Sequence, residues 1–199
     1  MQTPWHFTTW LDLRDHWQTG LAGLAALFAA IITVLVTLRV ERGKARREVD
    51  ALRKSLAVEL RLQIPRALAV YRSLGLRASR SDEPISARIV QSLSRMPAPI
   101  IYSANADKIG LLEGDAMNVV IVYTLLEGAR GAADRLATTY STPDNIDRVL
   151  VLKTAEAFLE ACKYARGVLP RLRIGDASHD AKDEALIQQI TDAAGSGGL

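Results

Sequence analysis

The pattern of apolar and polar residues along the chain changes at residue 39. Residues 20–38 (GLAGLAALFAAIITVLVTL) contain no ionisable side chain. As an α-helix these 19 residues cover about 28 Å, which matches the roughly 30 Å hydrocarbon core of a bilayer. Beyond residue 39, apolar side chains recur every three or four positions, as in helices that bury one face. The pattern predicts an all-α protein in which one N-terminal transmembrane helix is followed by a helical bundle.

A cleaved signal peptide is the alternative interpretation of this apolar stretch. Signal peptides carry a basic N-terminal region and a small-x-small cleavage pattern. Residues 1–19 instead hold one basic residue, Arg14, beside Asp12 and Asp15, and they lack the cleavage pattern. All three tryptophans also fall in this segment, and Trp is enriched at membrane–water interfaces. We therefore expect an uncleaved span.

The periodicity divides the chain into five segments. They are a short outer segment (1–19), the transmembrane helix (20–38), a basic juxtamembrane helix (39–80), a helical bundle domain (81–174) and a polar tail with a short helix (175–199). Pro65 interrupts the apolar stripe of the juxtamembrane helix. Because proline removes an amide donor and crowds the preceding turn, we expect it to kink or divide this helix.

The run MNVVIVYTLLEG, residues 117–128, is the second most apolar stretch of the chain. Asp115 and Glu127 enclose only 11 residues, whereas a membrane span needs about 17 to 25. The run continues into helix-forming residues without a turn signal, which favours a helix over a buried strand. Its apolar residues occupy two opposite faces. We therefore predict a central, buried helix over 115–138, with Ile121 in the interior.

Cap signals predict where the neighbouring helices begin and end. Ser103 or Asn105 is expected to cap one or two helical turns that close at Gly110. In the sequence TPDNIDRVL, Thr142 caps a last long helix and Pro143 takes its first position. A second proline, at position 170, is expected to mark the end of that helix.

Basic residues cluster directly after the predicted span. Residues 39–80 hold twelve basic and four acidic side chains, whereas residues 1–19 have a net charge of −1 and residues 81–199 a net charge of −4. Basic residues beside a span stay in the cytoplasm, so we expect an inner (plasma) membrane protein with its N-terminus outside and its bundle in the cytoplasm.

We call residues 39–47 the basic collar. Anionic lipid of the inner leaflet is the expected partner of this collar, rather than nucleic acid, because the collar adjoins the membrane. The lipid-contact candidates are Arg39, Arg42, Lys44, Arg46 and Arg47. The simpler alternative is that these charges only fix the orientation of the span and bind no lipid.

One face of the predicted span carries small side chains at intervals of three or four residues. They are Ala22, Ala26, Ala30, Thr33 and Thr37. Small residues let a second helix approach closely in lipid, where hydrophobicity does not distinguish one face from another. We predict a weak homodimer, or pairing with the span of another protein, although alanine is also common in spans that do not pair.

The sequence contains no recognisable catalytic, cofactor or metal motif, and we predict none of these sites. Three scattered histidines and a single cysteine, Cys162, form no zinc-binding pattern, and we expect Cys162 to be a packing residue. Phosphate-binding glycine motifs and a nucleophile elbow are also absent. Glu156 and Glu160 share a helix face, but Lys153 and Lys163 lie three residues away, which favours surface ion pairs over acid/base chemistry.

The segment IYSANADKIGLL and the apolar helix after it carry an aromatic-x-x-Asn-x-x-x-aliphatic-Gly-Leu-Leu element. The matching residues are Tyr102, Asn105, Ile109, Gly110, Leu111 and Leu112, together with Tyr123. In this element the chain resembles a diffuse group of uncharacterised bacterial proteins with one N-terminal span and a cytosolic helical domain. The resemblance implies a fold and no particular activity.

Three classes of function fit these observations. We favour a membrane-tethered interaction or scaffold protein that is not an enzyme and binds a protein partner. A membrane-bound enzyme acting on a lipid or small molecule, with polar groups near Tyr102, Asn105 and Asp107, is the first alternative. A transmembrane signal relay is the second. A pocket with converging titratable groups would favour the enzyme, whereas exposed apolar surface would favour the interaction protein.

Overall fold

The computed structural model describes residues 8–79, 85, 90, 96–139, 147–172 and 177–196. Within these ranges all regular structure is helical, and no residue lies in a β-strand. The predicted all-α fold class is confirmed. The chain divides into two compact units, Met1–Glu48 and Val49–Leu199, and we call the second unit the bundle.

The first helix, α1 (Thr8–Ser79), contributes residues to both units. In the first unit its side chains from Gly20 to Glu48 are exposed, apart from a half-buried Gly43. These exposed side chains include large apolar ones such as Phe28 and Leu35. Residues 20–38 of α1, which carry no ionisable group, therefore present an exposed apolar surface that is compatible with a membrane.

In the described part of the chain, two helical stretches are long and apolar enough to cross a membrane, Gly20–Gly75 and Ala106–Thr139. The most apolar part of Gly20–Gly75 is fully exposed. In Ala106–Thr139, a third of the most apolar part is buried within the protein. Val122 and Tyr123 from the second stretch have no exposed surface. Apolar helices compatible with a membrane are therefore present, and the second of them supplies core residues to the bundle.

Within the bundle, α1 buries a single stripe of side chains spaced mostly by three or four residues. The stripe consists of Leu52, Leu56, Leu60, Ile64, Leu68 and Leu74. Pro65 lies on the exposed side of α1, and the helix continues past it to Ser79, so Pro65 does not divide it. The second half of the predicted juxtamembrane helix is therefore part of the core of the bundle, which begins at Val49.

A short helix, α2 (Ile100–Ala104), and a 3-10 segment (Ala106–Asp115) follow. Of the two predicted caps, Asn105 takes the N-cap position of the 3-10 segment, although its side chain makes no capping hydrogen bond there. Asn105 also closes α2, because its side-chain amide donates to the carbonyl of Ile101 at 2.9 Å. Ser103 lies inside α2, where its hydroxyl donates to the backbone one turn earlier.

The 3-10 segment does not end at Gly110, as the sequence predicted, but runs to Asp115. The chain leaves the helical conformation at Glu113, whose φ of 50° lies in the left-handed region. This residue, rather than Gly110, marks the change of direction before the next helix. The buried side chains of Ile109 and Leu112 hold the segment against the core, which explains why it extends past the glycine.

The next helix, α3 (Ala116–Thr139), packs one face into the core. Its buried residues are Val119, Val122, Tyr123, Leu126, Ala129, Ala133 and Leu136. The opposite face is open: Met117 is 68% exposed, Thr124 is exposed and Ile121 is half-buried. The predicted helix is present, but its predicted burial on both faces is wrong, because its packing neighbours cover one side only.

The long helix α4 (Arg148–Val168) begins later than the cap signals indicated. Asp147 is its N-cap, since its carboxylate accepts a hydrogen bond from the amide of Val149 at 2.9 Å. The predicted cap Thr142 and the following Pro143 lie outside the described residues. A 3-10 turn over Leu169–Leu172 follows α4 and contains Pro170, close to the predicted end.

The last helix, α5 (Ala177–Ser196), is longer than the short helix predicted for a polar tail. Leu186, Ile190 and Ala193 bury their side chains, so this segment completes the core. Asp183 has no exposed surface, and its carboxylate accepts two hydrogen bonds from the Arg61 guanidinium, at 2.6 and 2.7 Å. This bidentate pair joins α5 to α1.

Candidate functional site

A buried acidic side chain of α1 holds the start of α2. Glu59 is only 5% exposed, and its two carboxylate oxygens accept hydrogen bonds from the amides of Ile101 at 2.7 Å and Tyr102 at 2.9 Å. These amides belong to the first turn of α2, where backbone donors have no partner within the helix. Glu59 therefore fixes α2 against α1 through two charge-assisted hydrogen bonds.

Two tyrosine rings stack in the same region. The ring centroids of Tyr102 and Tyr123 are 4.2 Å apart, and the ring planes differ by 9°. The Tyr123 hydroxyl donates to the carbonyl of Leu56 at 3.5 Å. Burial, followed by the charge of Glu59 and a hydrogen bond to it, raises the pKa of Tyr123 far above the usual range of tyrosine. The phenol therefore stays protonated and serves as a donor, not as a base.

The three polar residues of the enzyme alternative have separate surroundings. Tyr102 stacks on Tyr123, Asn105 closes α2, and Asp107 is exposed. Neither of the two recesses described below includes any of these three residues. In this part of the chain the structure therefore assigns Tyr102 and Asn105 to packing and helix capping.

A surface groove of about 280 Å³ lies between the start of α3 and the end of α4. Its lining residues are Asn118, Lys163, Tyr164, Gly167, Val168 and Arg171. The Lys163 ammonium donates to Glu160 at 2.6 Å, so that predicted surface ion pair is confirmed. The sequence does not reveal the groove, because its lining residues come from separate helices and only Lys163 belongs to a recognisable charge pattern.

A second, smaller recess surrounds the side-chain amide of Gln63. The amide nitrogen donates to the carbonyl of Pro97 at 3.2 Å, whereas the buried amide oxygen has no hydrogen-bond partner among the described residues. The recess has a volume of about 10 Å³, which is the space that one water molecule needs. Glu127 and Arg130 of α3 line it on the other side.

The outer face of α1 carries a second apolar line, which we call the outer seam. It consists of Val58, Leu62, Pro65 and Ala69, all of them exposed. Val58 and Leu62 are 46% and 57% exposed. The intervals of four, three and four residues are those with which a helix presents an apolar seam to a partner helix. The seam was not predicted from the sequence, in which the core stripe of α1 is the stronger periodic pattern.

The basic collar and the small face of the predicted span both lie on α1 in the first unit. All of these side chains are exposed: Arg39, Arg42, Lys44, Arg46 and Arg47 in the collar, and Ala22, Ala26, Ala30, Thr33 and Thr37 in the span. The Thr33 and Thr37 hydroxyls donate to carbonyls one turn earlier, at 2.8 Å each. Because the helix itself satisfies these hydroxyls, they require no partner in lipid. Pairing through this face stays a prediction.

The surroundings of Cys162 and the positions of possible metal ligands bear on whether the bundle holds a reactive thiol or a metal ion. The Cys162 thiol is buried 3.9 Å from the carbonyl of Ile64, and burial raises its pKa to about 12. The thiol therefore stays protonated at neutral pH, in agreement with a packing role. Among the described residues, no group of three His, Cys, Asp or Glu side chains is placed to hold a metal ion.

Comparison with known proteins found no matching family model, no matching curated protein and no matching solved structure. The resemblance to a group of bacterial single-span proteins therefore stays a prediction. Any function of the chain must be argued from its own residues.

Proposed function

We propose that this chain is a membrane-tethered helical interaction protein. Residues 20–38 form its single span, the basic collar holds the following residues at the cytoplasmic face, and the bundle presents a helical surface to a protein partner. The bundle is the part that recognises the partner, and the span determines where recognition takes place.

The outer seam is the observation that carries this proposal. Its two large side chains, Val58 and Leu62, leave about half of their surface in contact with solvent, although they belong to the helix that supplies the core stripe. Exposed apolar side chains scattered singly are common, but a line at helical spacing is what an amphipathic partner helix recognises. The exposed Arg66 lies beside Pro65 and Leu62 and offers a charged contact at the rim.

Photo-crosslinking from the outer seam tests the proposed partner binding. With benzoyl-phenylalanine in place of Leu62 in the full chain, we expect one dominant adduct on irradiation of cells. The same probe in place of the exposed Glu156 on α4 is the control and should give none. The adduct should be lost when Val58→Glu is added, because a charge in the seam opposes apolar docking. Equal adducts from both positions would contradict recognition through the seam.

Reporter fusions test the proposed orientation. A fluorescent protein fused after Leu199 should fold and fluoresce, and alkaline phosphatase at the same position should be inactive, since basic residues beside a span are retained in the cytoplasm. Replacing the five basic residues of the collar by glutamine should raise the phosphatase activity severalfold. Full phosphatase activity of the unaltered fusion would show that the bundle lies outside.

A further inference from the structure

Hydrogen-bond donors surround the groove between α3 and α4. Four of its lining residues carry a hydrogen-bond donor in the side chain: Asn118, Lys163, Tyr164 and Arg171. The phosphodiester group of a lipid carries one negative charge and accepts hydrogen bonds without donating any, so this set of donors matches its needs. The volume of about 280 Å³ is large enough for a headgroup phosphate with its glycerol.

The charges around the groove leave a positive excess. The two cations that line it, Lys163 and Arg171, lie within ion-pair distance of Glu160 and Asp115, respectively. Lys163 lies 2.6 Å from Glu160, and Arg53 lies 3.3 Å from Asp115. Arg171 is 3.9 Å from Asp115, farther than Arg53, and its side chain is 58% exposed. Because Asp115 is paired more closely with Arg53, the Arg171 guanidinium is available to an anion.

Tyr164 in the groove wall and two apolar residues close in sequence to Asn118 are exposed. Met117 precedes Asn118 of the groove and is 68% exposed, and Tyr164 in the groove wall is 52% exposed. Leu111, in the 3-10 segment before α3, is 46% exposed. A soluble phosphate ion gains nothing from such neighbours, whereas the headgroup region of a bilayer accommodates both cations and apolar or aromatic tips.

The position of the groove in the bundle also favours lipid. The ion pair between Arg53 and Asp115 places the start of α3 beside the first turns of α1 in the bundle. Arg53 follows the basic collar closely in sequence, and the collar follows the predicted span. Within the bundle, the groove therefore lies near the first turns of α1, which are the part of the bundle closest in sequence to the predicted span.

We propose that this groove binds the phosphate headgroup of an anionic lipid, with Lys163 and Arg171 on the phosphate and Met117 in the interfacial layer. The proposal rests on the membrane tether of the proposed function. It adds a second contact with the membrane, made by the bundle itself, which would hold the outer seam in a defined orientation.

Spin-label accessibility in nanodiscs tests the headgroup site. The full chain, with Cys162→Ala and a nitroxide on Met117→Cys, is reconstituted in phosphatidylcholine with and without phosphatidylglycerol. We expect the accessibility of the label to a water-soluble nickel reagent to fall severalfold only when phosphatidylglycerol is present. Lys163→Gln with Arg171→Gln should abolish this fall. Lys153→Gln with Lys182→Gln, which removes the same charge from exposed positions elsewhere, should leave it unchanged.

The experiment distinguishes a failure of the headgroup site from a failure of the membrane tether. A chain that fails to co-purify with nanodiscs of either composition would refute the tether. A label that stays accessible in a chain that does co-purify would overturn the headgroup site alone. Protection by inorganic phosphate in phosphatidylcholine nanodiscs would assign the groove to a soluble anion and would also overturn it, as would equal protection in the variant that lacks Lys163 and Arg171.

Discussion

Val122→Asp is expected to unfold the bundle, whereas Ile121→Asp, one residue earlier in α3, is expected to leave it folded. Val122 has no exposed surface and lies in the face of α3 that packs into the core. An aspartate there either carries an unpaired buried charge or is protonated at a comparable cost, of the order of several kcal/mol. That is comparable with the whole stability of a domain, typically about 5–15 kcal/mol.

The neighbouring position supplies the matched control. Ile121 is half-buried, so an aspartate there can turn its carboxylate towards water, and Thr124→Asp on the same open face should be milder still. Hydrogen exchange of the full chain in mild detergent measures the effect, because it separates peptides of the bundle from those of residues 20–38. If the protection of peptides from α3 and α4 were the same in Val122→Asp as in the parent, the assigned core face of α3 would be wrong.

The contrast between these two positions shows what the sequence could predict about α3. Apolar content and helix-forming residues identified the helix, because both are local properties of the chain. Which face of α3 is buried depends on how many neighbouring helices pack against it, and the amino-acid composition of α3 does not predict that number. Met117 and Val122 are both apolar, yet the first is 68% exposed and the second is fully buried.

The start of α2 shows a similar limit for polar residues. Glu59 stands between the core positions Leu56 and Leu60 of α1, and an acid next to an apolar stripe is a signal that it has a buried partner. The partner itself could not be predicted, because the amides of Ile101 and Tyr102 are backbone groups far along the chain. The groove could not be predicted for the same reason. Asn118 of α3 and Arg171 of the 3-10 turn after α4 line one groove only because the chain folds.

The Arg61–Asp183 pair was likewise beyond sequence reasoning, since 122 positions separate its members. The polar composition of residues 175–199 predicted a tail with a short helix, whereas Ala177–Ser196 form a long helix that buries Asp183 together with Leu186, Ile190 and Ala193. Asp183 is fully buried and the Arg61 side chain is 18% exposed, so water screens this pair little. Its geometry is the bidentate one in which arginine binds a carboxylate most strongly.

Asp183→Ala is expected to destabilise the bundle by about 3–5 kcal/mol, because it leaves the Arg61 guanidinium with most of its surface buried and without this carboxylate. The loss should be seen first as faster hydrogen exchange in α5, and then as a lower midpoint of urea denaturation of the full chain in mild detergent. Glu160→Ala removes the exposed pair with Lys163 and should change stability by less than about 0.5 kcal/mol, which makes it the matched control.

A double variant distinguishes the net stability that the ion pair contributes from the cost of leaving one buried charge without its partner. Arg61→Met combined with Asp183→Leu replaces two buried charges by apolar side chains of similar size, and such replacements are often neutral or stabilising. We therefore expect the double variant to recover most of the stability that Asp183→Ala loses. If it were as unstable as the single variant, the ion pair would be contributing net stability of its own. If Asp183→Ala matched the parent in both measurements, other contacts, such as the burial of Leu186, Ile190 and Ala193, would hold α5, and the pair would have no part in anchoring it.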